Sequence, residues 1–257
     1  MSLPAFSKEQ KKDKKFLLIV VAASCLVAAM FGSRNSLSLT IEGIDQSQTL
    51  NYLQISFAFA LGQLVVGAIS PFAGMIADKY GSGKTLTVGI LLGLLGIILI
   101  PYSTTAFTLS ISLGVISSIG LGVAGLPVVL ASVNRLIPQN KVGMAFGLVN
   151  AGQSLGQLIL APLAGFIIVN FGWILCILFL CTVLLLVLPF SFTLRSRTDT
   201  KQPSSVQTKS LSETLRIAFN TPSYIYLVVG FFVCGFHVAF IATHMPGVIQ
   251  VCGLPPT

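Results

Sequence analysis

The sequence predicts an all-α, polytopic membrane protein, and three observations carry that expectation. Apolar residues make up 54% of the chain against 9% charged, with a mean hydropathy of +0.91, which is more apolar surface than one water-soluble core can hide. Seven apolar runs are long enough to cross a bilayer, by the rule of about 20 residues per helix. Basic residues gather in every second connection between those runs.

The first run, residues 16–39, follows Lys8, Lys11, Lys12, Lys14 and Lys15. Ala22-Ala23-Ser24-Cys25 inside it is similar to a lipoprotein cleavage site. The apolar stretch continues beyond Cys25 and six more runs follow, so a retained helix is expected rather than a signal peptide. The second run covers residues 50–77 and the third residues 86–102, with Lys79 and Lys84 between them. The fourth, residues 107–133, and the fifth, residues 142–169, are separated by Arg135 and Lys141. Only the turn signal Asn170-Phe171-Gly172 divides the fifth from the sixth, residues 172–192. The segment 194–221 mixes Ser, Thr, Gln and Pro203 with Arg195, Arg197, Lys201, Lys209 and Arg216, and reads as a polar linker. The seventh run spans residues 224–251. The expected organisation is a basic N-terminus at 1–15, six spans within 16–193, a linker at 194–221 and the seventh helix within 222–257.

Fourteen of the fifteen Lys and Arg residues fall in alternate connections, while the intervening ones carry only Glu42 and Asp45 or no charge. By the positive-inside tendency the N-terminus and linker face the cytoplasm, in a multi-pass protein of the inner, cytoplasmic membrane. The net charge of +8 then reports topology, not a nucleic-acid partner. The five cysteines show no paired metal or redox spacing and read as reduced packing residues; no cofactor is expected. Neither a catalytic constellation nor a sizeable extramembrane domain marks an enzyme or receptor.

Arg34 is the fifteenth cation and falls inside an apolar run. A charge there is costly and usually faces the bundle interior, bound to something negative, and a planar guanidinium suits two-point carboxylate binding. Snorkelling to the outer headgroups and pairing with Glu42 are the competing readings. Asn150, Gln153 and Gln157 recur at three and then four residues and share one helical face. That face turns to a partner helix or to a wet cavity; Gln54 and Gln63 in the second run are further candidates. His237 and His244 are the only histidines, about two turns apart on the seventh run, and read either as substrate contacts or as neutral structural residues.

The connection after the second run reads Gly74-Met75-Ile76-Ala77-Asp78-Lys79-Tyr80-Gly81-Ser82-Gly83-Lys84. Asp78 is placed there to cap orphan amides at a helix start, with Lys79 and Lys84 orienting the loop. Gly81-Ser82-Gly83-Lys84-Thr85 is similar to the end of a phosphate-binding loop, but Asp78 holds the required first glycine position and no strand precedes it, which argues against an ATPase. Gly89-x-x-x-Gly93, Gly143-x-x-x-Gly147 and Gly152-x-x-x-Gly156 each predict a close helix contact.

That loop resembles the signature of the major facilitator superfamily, Gly-x-Leu-Ala-Asp-Arg-x-Gly-Arg-Lys/Arg, in the position between spans two and three where the superfamily carries it. Lys79 replaces the usual Arg, and Ser82-Gly83 stand where basic residues are common. The segment 147–157, followed by Ala161-Pro162 and Gly172-Trp173, and the segment 230–246 are similar to bacterial monocarboxylate-porter and oxalate/formate-exchanger relatives. The resemblance covers essentially the whole chain. It implies a twelve-helix fold of two six-helix bundles, of which this chain holds the N-terminal bundle and the first helix of the second. It also implies that Asp78, with Lys79, Gly74 and Gly81, belongs to a gate that latches the cytoplasmic side. If the halves are parallel repeats, aligning Cys25 with Cys234 sets His244 within one residue of the position equivalent to Arg34.

The expected substrate lining is Arg34, Gln63, Asn150, Gln153, Gln157, His237 and His244. The expected function is secondary transport of a small organic anion, a monocarboxylate or dicarboxylate, by alternating access. No Asp or Glu lies deep in a run, so the partners foreseen are the bilayer, the anion, and either an exchanged anion or a proton carried with help from His. Efflux of an apolar drug is one alternative. A truncated, non-functional transporter fragment ending at Pro255-Pro256-Thr257 is the other.

Overall fold

The computed structural model of the chain describes residues 3–47, 50–195 and 216–251, with side chains at 14–41, 43–45, 50–195 and 216–241. Every regular element among the described residues is a helix. Seven helical stretches are long and apolar enough to cross a membrane: Lys14–Thr40, Tyr52–Tyr80, Ser82–Tyr102, Ala106–Leu136, Gln139–Phe171, Trp173–Thr193 and Pro222–Ile241. They divide into two compact units, the first six in Met1–Arg197 and the seventh in Thr198–Pro256. Most of the linker expected at 194–221 lies outside the described residues.

Local chemistry sets the helix ends. The first helix runs from Leu3 to Ser36, so the basic N-terminal stretch is continuous with the first span. A short 3₁₀ turn, Leu37–Thr40, links it to Ile41–Ser47, and the Ser38 and Thr40 hydroxyls donate to the carbonyls of Asn35 and Leu37 at 2.7 Å. Asn51 and Gln54 form a capping box that starts the second span. Gln54, a further candidate from the sequence, accepts from the Asn51 backbone N–H at 3.1 Å through its side-chain oxygen, as a cap. Gly81 (φ 91°) and Gly172 (φ 85°) make the two sharpest reversals, in the left-handed region that only glycine enters without strain. The second of them confirms Asn170-Phe171-Gly172 as the boundary between fifth and sixth spans.

In lipid, a partner helix is no more apolar than the solvent, so close approach of backbones decides which helices pair. Leu26, Ile55, Ile90, Ile177 and Leu180 are fully buried, but glycine makes the tightest contacts. A Cβ on Gly156 would lie 2.2 Å from the Ala28 carbonyl oxygen, and one on Gly152 2.7 Å from Ser24 Cβ, which locks spans one and five together. A Cβ on Gly120 would lie 2.0 Å from Gly93 N, and one on Gly96 2.3 Å from Ser117 N, which does the same for spans three and four. The contacts expected of Gly89 and of Gly152-x-x-x-Gly156 are therefore present. That expected of Gly143-x-x-x-Gly147 is not: nothing described lies within 4 Å of a Cβ at either position, because that face of the fifth span is turned away from the unit's other helices.

The fourth span is not the single helix expected over 107–133. It contains a π-helical segment, Ser110–Ser117, where the Ser118 hydroxyl reaches the Leu113 carbonyl at 3.1 Å. It is then broken at Ala124 and Gly125 before resuming as Leu126–Leu136. At the break Gly125 takes an extended backbone and Pro127 stands in the first turn of the resumed helix, where its missing N–H leaves no bond unmade.

Candidate functional site

Arg34 stands in the last turn of the first helix. A helical side chain leans back towards its own N-terminus, so the guanidinium returns towards mid-depth, where it donates to the side-chain oxygen of Gln63 on the second span. Among the described residues Gln63, a neutral amide, is its hydrogen-bond partner, and no described carboxylate is paired with it. The pairing with Glu42 raised from the sequence cannot be placed, because the Glu42 side chain lies outside the described ones.

Beside Arg34 a small, partly open cleft of about 70 Å³ lies between spans one, two and four. Its walls are Met30 and Phe31, Val66 and Ser70, and Leu121 with Leu126. Val66 is the central residue of Tyr52–Tyr80 and Leu121 that of Ala106–Leu136, so the cleft lies at the middle of the bundle's depth. The break in the fourth span forms one end of it, through Gly122, Gly125 and Pro127. Irregular backbone within membrane depth is tolerated where it is buried in protein or lines a cavity. Ser70 contributes little free polarity, since its hydroxyl donates to the Val66 carbonyl at 2.7 Å. Arg34 is the one charged side chain on the lining.

The structure thus brings Arg34 and Gln63 together and leaves the other amides apart from that contact. Asn150 donates to the Phe146 carbonyl of its own helix at 2.9 Å, and Gln153 and Gln157 are half-buried without a side-chain hydrogen bond among the described residues. His237, in the second unit, bonds the Val233 carbonyl through Nδ1 at 2.9 Å, again within its own helix. His244 lies outside the described side chains.

At the end of the second span Asp78 has a different partner from the one expected. It lies in the last turn of Tyr52–Tyr80, not at the start of the next helix, and Ser82–Ile98 begins after Gly81 with no side-chain cap. A carboxylate at a helix C-terminus opposes the helix dipole; Asp78 is compensated by an ion pair with Arg135, at the end of the fourth span. The sequence offered Arg135 only as a topogenic charge, although its place in the last turn after Pro127 was a usable signal. Lys79 rests 5.3 Å from the Tyr80 ring centroid, and a Cβ on Gly74 would meet open space. The departure at Ser82-Gly83 also has a reason. Buried Ser82 donates to the Leu194 carbonyl at 2.8 Å, and a Cβ on Gly83 would lie 2.9 Å from Arg195 Cβ. The end of the sixth span closes that place to long basic side chains.

Comparison with known proteins places these features. Residues 21–257 match the sequence profile described as Major Facilitator Superfamily. The chain is 28% identical over 162 residues to the riboflavin transporter RibZ of Clostridioides difficile (strain 630), covering 63% of this chain and 35% of that protein. It is 25% identical over 178 residues to monocarboxylate transporter 11 of Mus musculus, covering 69% and 39%, and 27% identical over 156 residues to monocarboxylate transporter 2 of Homo sapiens, covering 61% and 32%. The matched region therefore spans 32–39% of the length of these relatives.

Proposed function

Since this chain belongs to the Major Facilitator Superfamily, a family of multi-pass membrane transporters, we propose that it serves secondary transport of a small organic anion, a monocarboxylate or dicarboxylate, by alternating access. The observation that carries the reading is the guanidinium of Arg34 at a mid-depth cleft, with a neutral amide as its partner among the described residues. A cation at membrane depth is costly unless it is paired, and a carboxylate can take a guanidinium bidentately. Gln63 then holds Arg34 in the empty site and yields it to the anion. Gln153 and Gln157, without a side-chain hydrogen bond among the described residues, are the next contacts in the reading, and Asn150, His237 and His244 remain candidates. The coupling is exchange for a second anion or symport with a proton.

Asp78 and Arg135 tie the ends of spans two and four on the basic side, which the charge distribution assigns to the cytoplasm. With Lys79, Gly74 and Gly81 they form the proposed cytoplasmic gate element, acting as a brace within this bundle. The similarity to a riboflavin transporter favours a second reading, a substrate bound without a carboxylate. Uptake of radiolabelled carboxylates into cells lacking their own carboxylate carrier separates the two. Arg34→Gln is expected to lower uptake at least tenfold and Arg34→Lys to restore part of it; unchanged uptake in Arg34→Gln discards the anion reading.

A further inference from the structure

We propose that the ends of spans three and six on the basic side of the bundle bind an anionic phospholipid, its phosphate on Lys84 and Arg195 and its acyl chains on the exposed face of the third span. Contacts that involve neither charged group hold the two helix ends together. Buried Ser82 donates to the Leu194 carbonyl at 2.8 Å, the Thr87 and Ser191 hydroxyl oxygens lie 2.7 Å apart, and a Cβ on Gly83 would lie 3.0 Å from Arg195 Cα. Lys84 follows Gly83 directly, so the two cations branch from touching stretches of backbone. Both residues are exposed, and no described carboxylate is paired with either. The positive end of the dipole of Ser82–Ile98 lies at the same place, with no side-chain cap to offset it. Two cations held this way favour an anion that reaches both.

The third span supplies the apolar half of the site. Val88, Leu91, Leu95, Ile98 and Tyr102 follow Lys84 at steps of four and three residues, which places them along one face, and all are exposed. That face carries no glycine and no amide, unlike the exposed face of the fifth span with Gly143, Gly147 and Asn150. From Lys84 to Tyr102 the span rises about 27 Å at roughly 1.5 Å per residue, close to the roughly 30 Å of a hydrocarbon core. A lysine at one end and a tyrosine at the other are side chains that settle at the two headgroup levels. With the phosphate at Lys84, Val88 and Leu91 lie about 6 and 10 Å deeper, where the acyl chains of the same lipid run. Phe192, exposed one turn before Arg195, adds apolar surface from the sixth span. Charge selects the lipid: a phosphodiester accepts from the guanidinium fork and the ammonium together, whereas a zwitterionic headgroup brings a cation of its own.

The test reads which lipid lies against residue 88. In the full chain Trp173, the single tryptophan, is changed to Phe, and Val88→Trp puts the fluorophore on the exposed stripe. The protein is reconstituted in phosphatidylcholine vesicles with rising fractions of phosphatidylglycerol brominated on its acyl chains, and quenching gives the relative affinity of the two lipids. Near-surface cations contribute about fivefold each, so a preference of about 25-fold for phosphatidylglycerol is expected at residue 88. Leu178→Trp, an exposed position nearer the other end of the sixth span, is expected to show a preference below about twofold. Lys84→Gln or Arg195→Gln alone is expected to lower the preference at residue 88 to about fivefold, and the two together to about one. Lys84→Arg with Arg195→Lys is expected to keep it. Lys201→Gln with Lys209→Gln, which removes the same charge from the linker, is expected to leave it unchanged.

A preference at residue 88 no larger than at residue 178 overturns the site. So does a preference that survives Lys84→Gln with Arg195→Gln, or one that falls as far when the linker lysines are replaced, since either traces it to the protein's overall positive charge. Loss of the preference in Lys84→Arg with Arg195→Lys overturns it too, because charge is then not what selects the lipid. Displacement of the brominated lipid by millimolar inorganic phosphate assigns the two cations to a soluble anion and overturns the lipid as the occupant.

Discussion

Replacing Gly156 by Ala tests whether backbone contact between spans one and five holds the bundle together. The added Cβ would lie 2.2 Å from the Ala28 carbonyl oxygen and 2.4 Å from Ala28 Cα, against the 3.4 Å at which ordinary contact begins. Both obstacles are backbone, so no side chain can swing aside. The two helices must part by about 1.2 Å, and a radial gap of roughly 0.5–1 Å already forfeits a quarter to a half of each dispersion contact along the seam. Overpacking of this kind costs about 1–3 kcal/mol. Gly147→Ala is the matched control, since nothing described lies within 4 Å of its Cβ. There the substitution only improves helix propensity, a gain of about 0.5–1 kcal/mol. Unfolding of the purified chain by dodecyl sulfate in mixed micelles, followed by far-ultraviolet circular dichroism, measures both. The reasoning is refuted if Gly156→Ala falls within about 0.5 kcal/mol of the parent, or if Gly147→Ala destabilises as much as Gly156→Ala.

Other perturbations address the polar contacts. Gln63→Glu places a carboxylate on Arg34 and is expected to compete with the substrate, lowering carboxylate uptake at least tenfold, whereas Gln63→Leu, which adds no charge, is expected to lower it far less. Ser82→Val leaves the Leu194 carbonyl buried without its donor, and a loss of about 1–3 kcal/mol is expected in the micelle unfolding assay. The Asp78 and Arg135 pair is largely solvent-exposed, at 63% and 28%, so a double-mutant cycle to Ala is expected to give a coupling below about 1 kcal/mol that shrinks further in high salt. If Asp78 belongs to a gate, Asp78→Asn nevertheless changes transport rate well beyond what that small coupling predicts.

The spans were legible because seven apolar runs separated by charge admit few other readings, and glycine at positions 81 and 172 marks reversals that no other residue makes cheaply. The break in the fourth span was not read, although Gly125 and Pro127 announce it, because both halves are apolar and hydropathy runs smoothly through it. The π-helical turn at Ser110–Ser117 has no such local sign; it goes with the backbone contact of Gly96 on Ser117. Arg34 and Gln63 stood out as polar groups in apolar sequence. Phe31, Val66 and Leu121 could not, since a residue facing a cleft and one facing lipid obey the same composition. The amides of Gln54 and Asn150 are each polar in an apolar run, and each makes a local bond, to the Asn51 N–H and the Phe146 carbonyl, that composition does not reveal.

The seam between the first and fifth spans also bears on how the protein is made. Ser24 donates to the Leu148 carbonyl across it at 3.3 Å, a partner 124 residues further along the chain. At a synthesis rate of about 5–20 residues per second, the first span waits roughly 6–25 s in the membrane before its partner emerges. Spans three and four, whose glycine contacts lie in consecutive helices, face no comparable delay. During that interval the serine and glycine face of the first span, with Arg34 beyond it, is inserted but unaccompanied. The insertion machinery, or the spans that arrive in the meantime, must shield it. Slowing translation ahead of the fifth span would lengthen the exposure and leave more of the nascent chain open to the quality-control proteases.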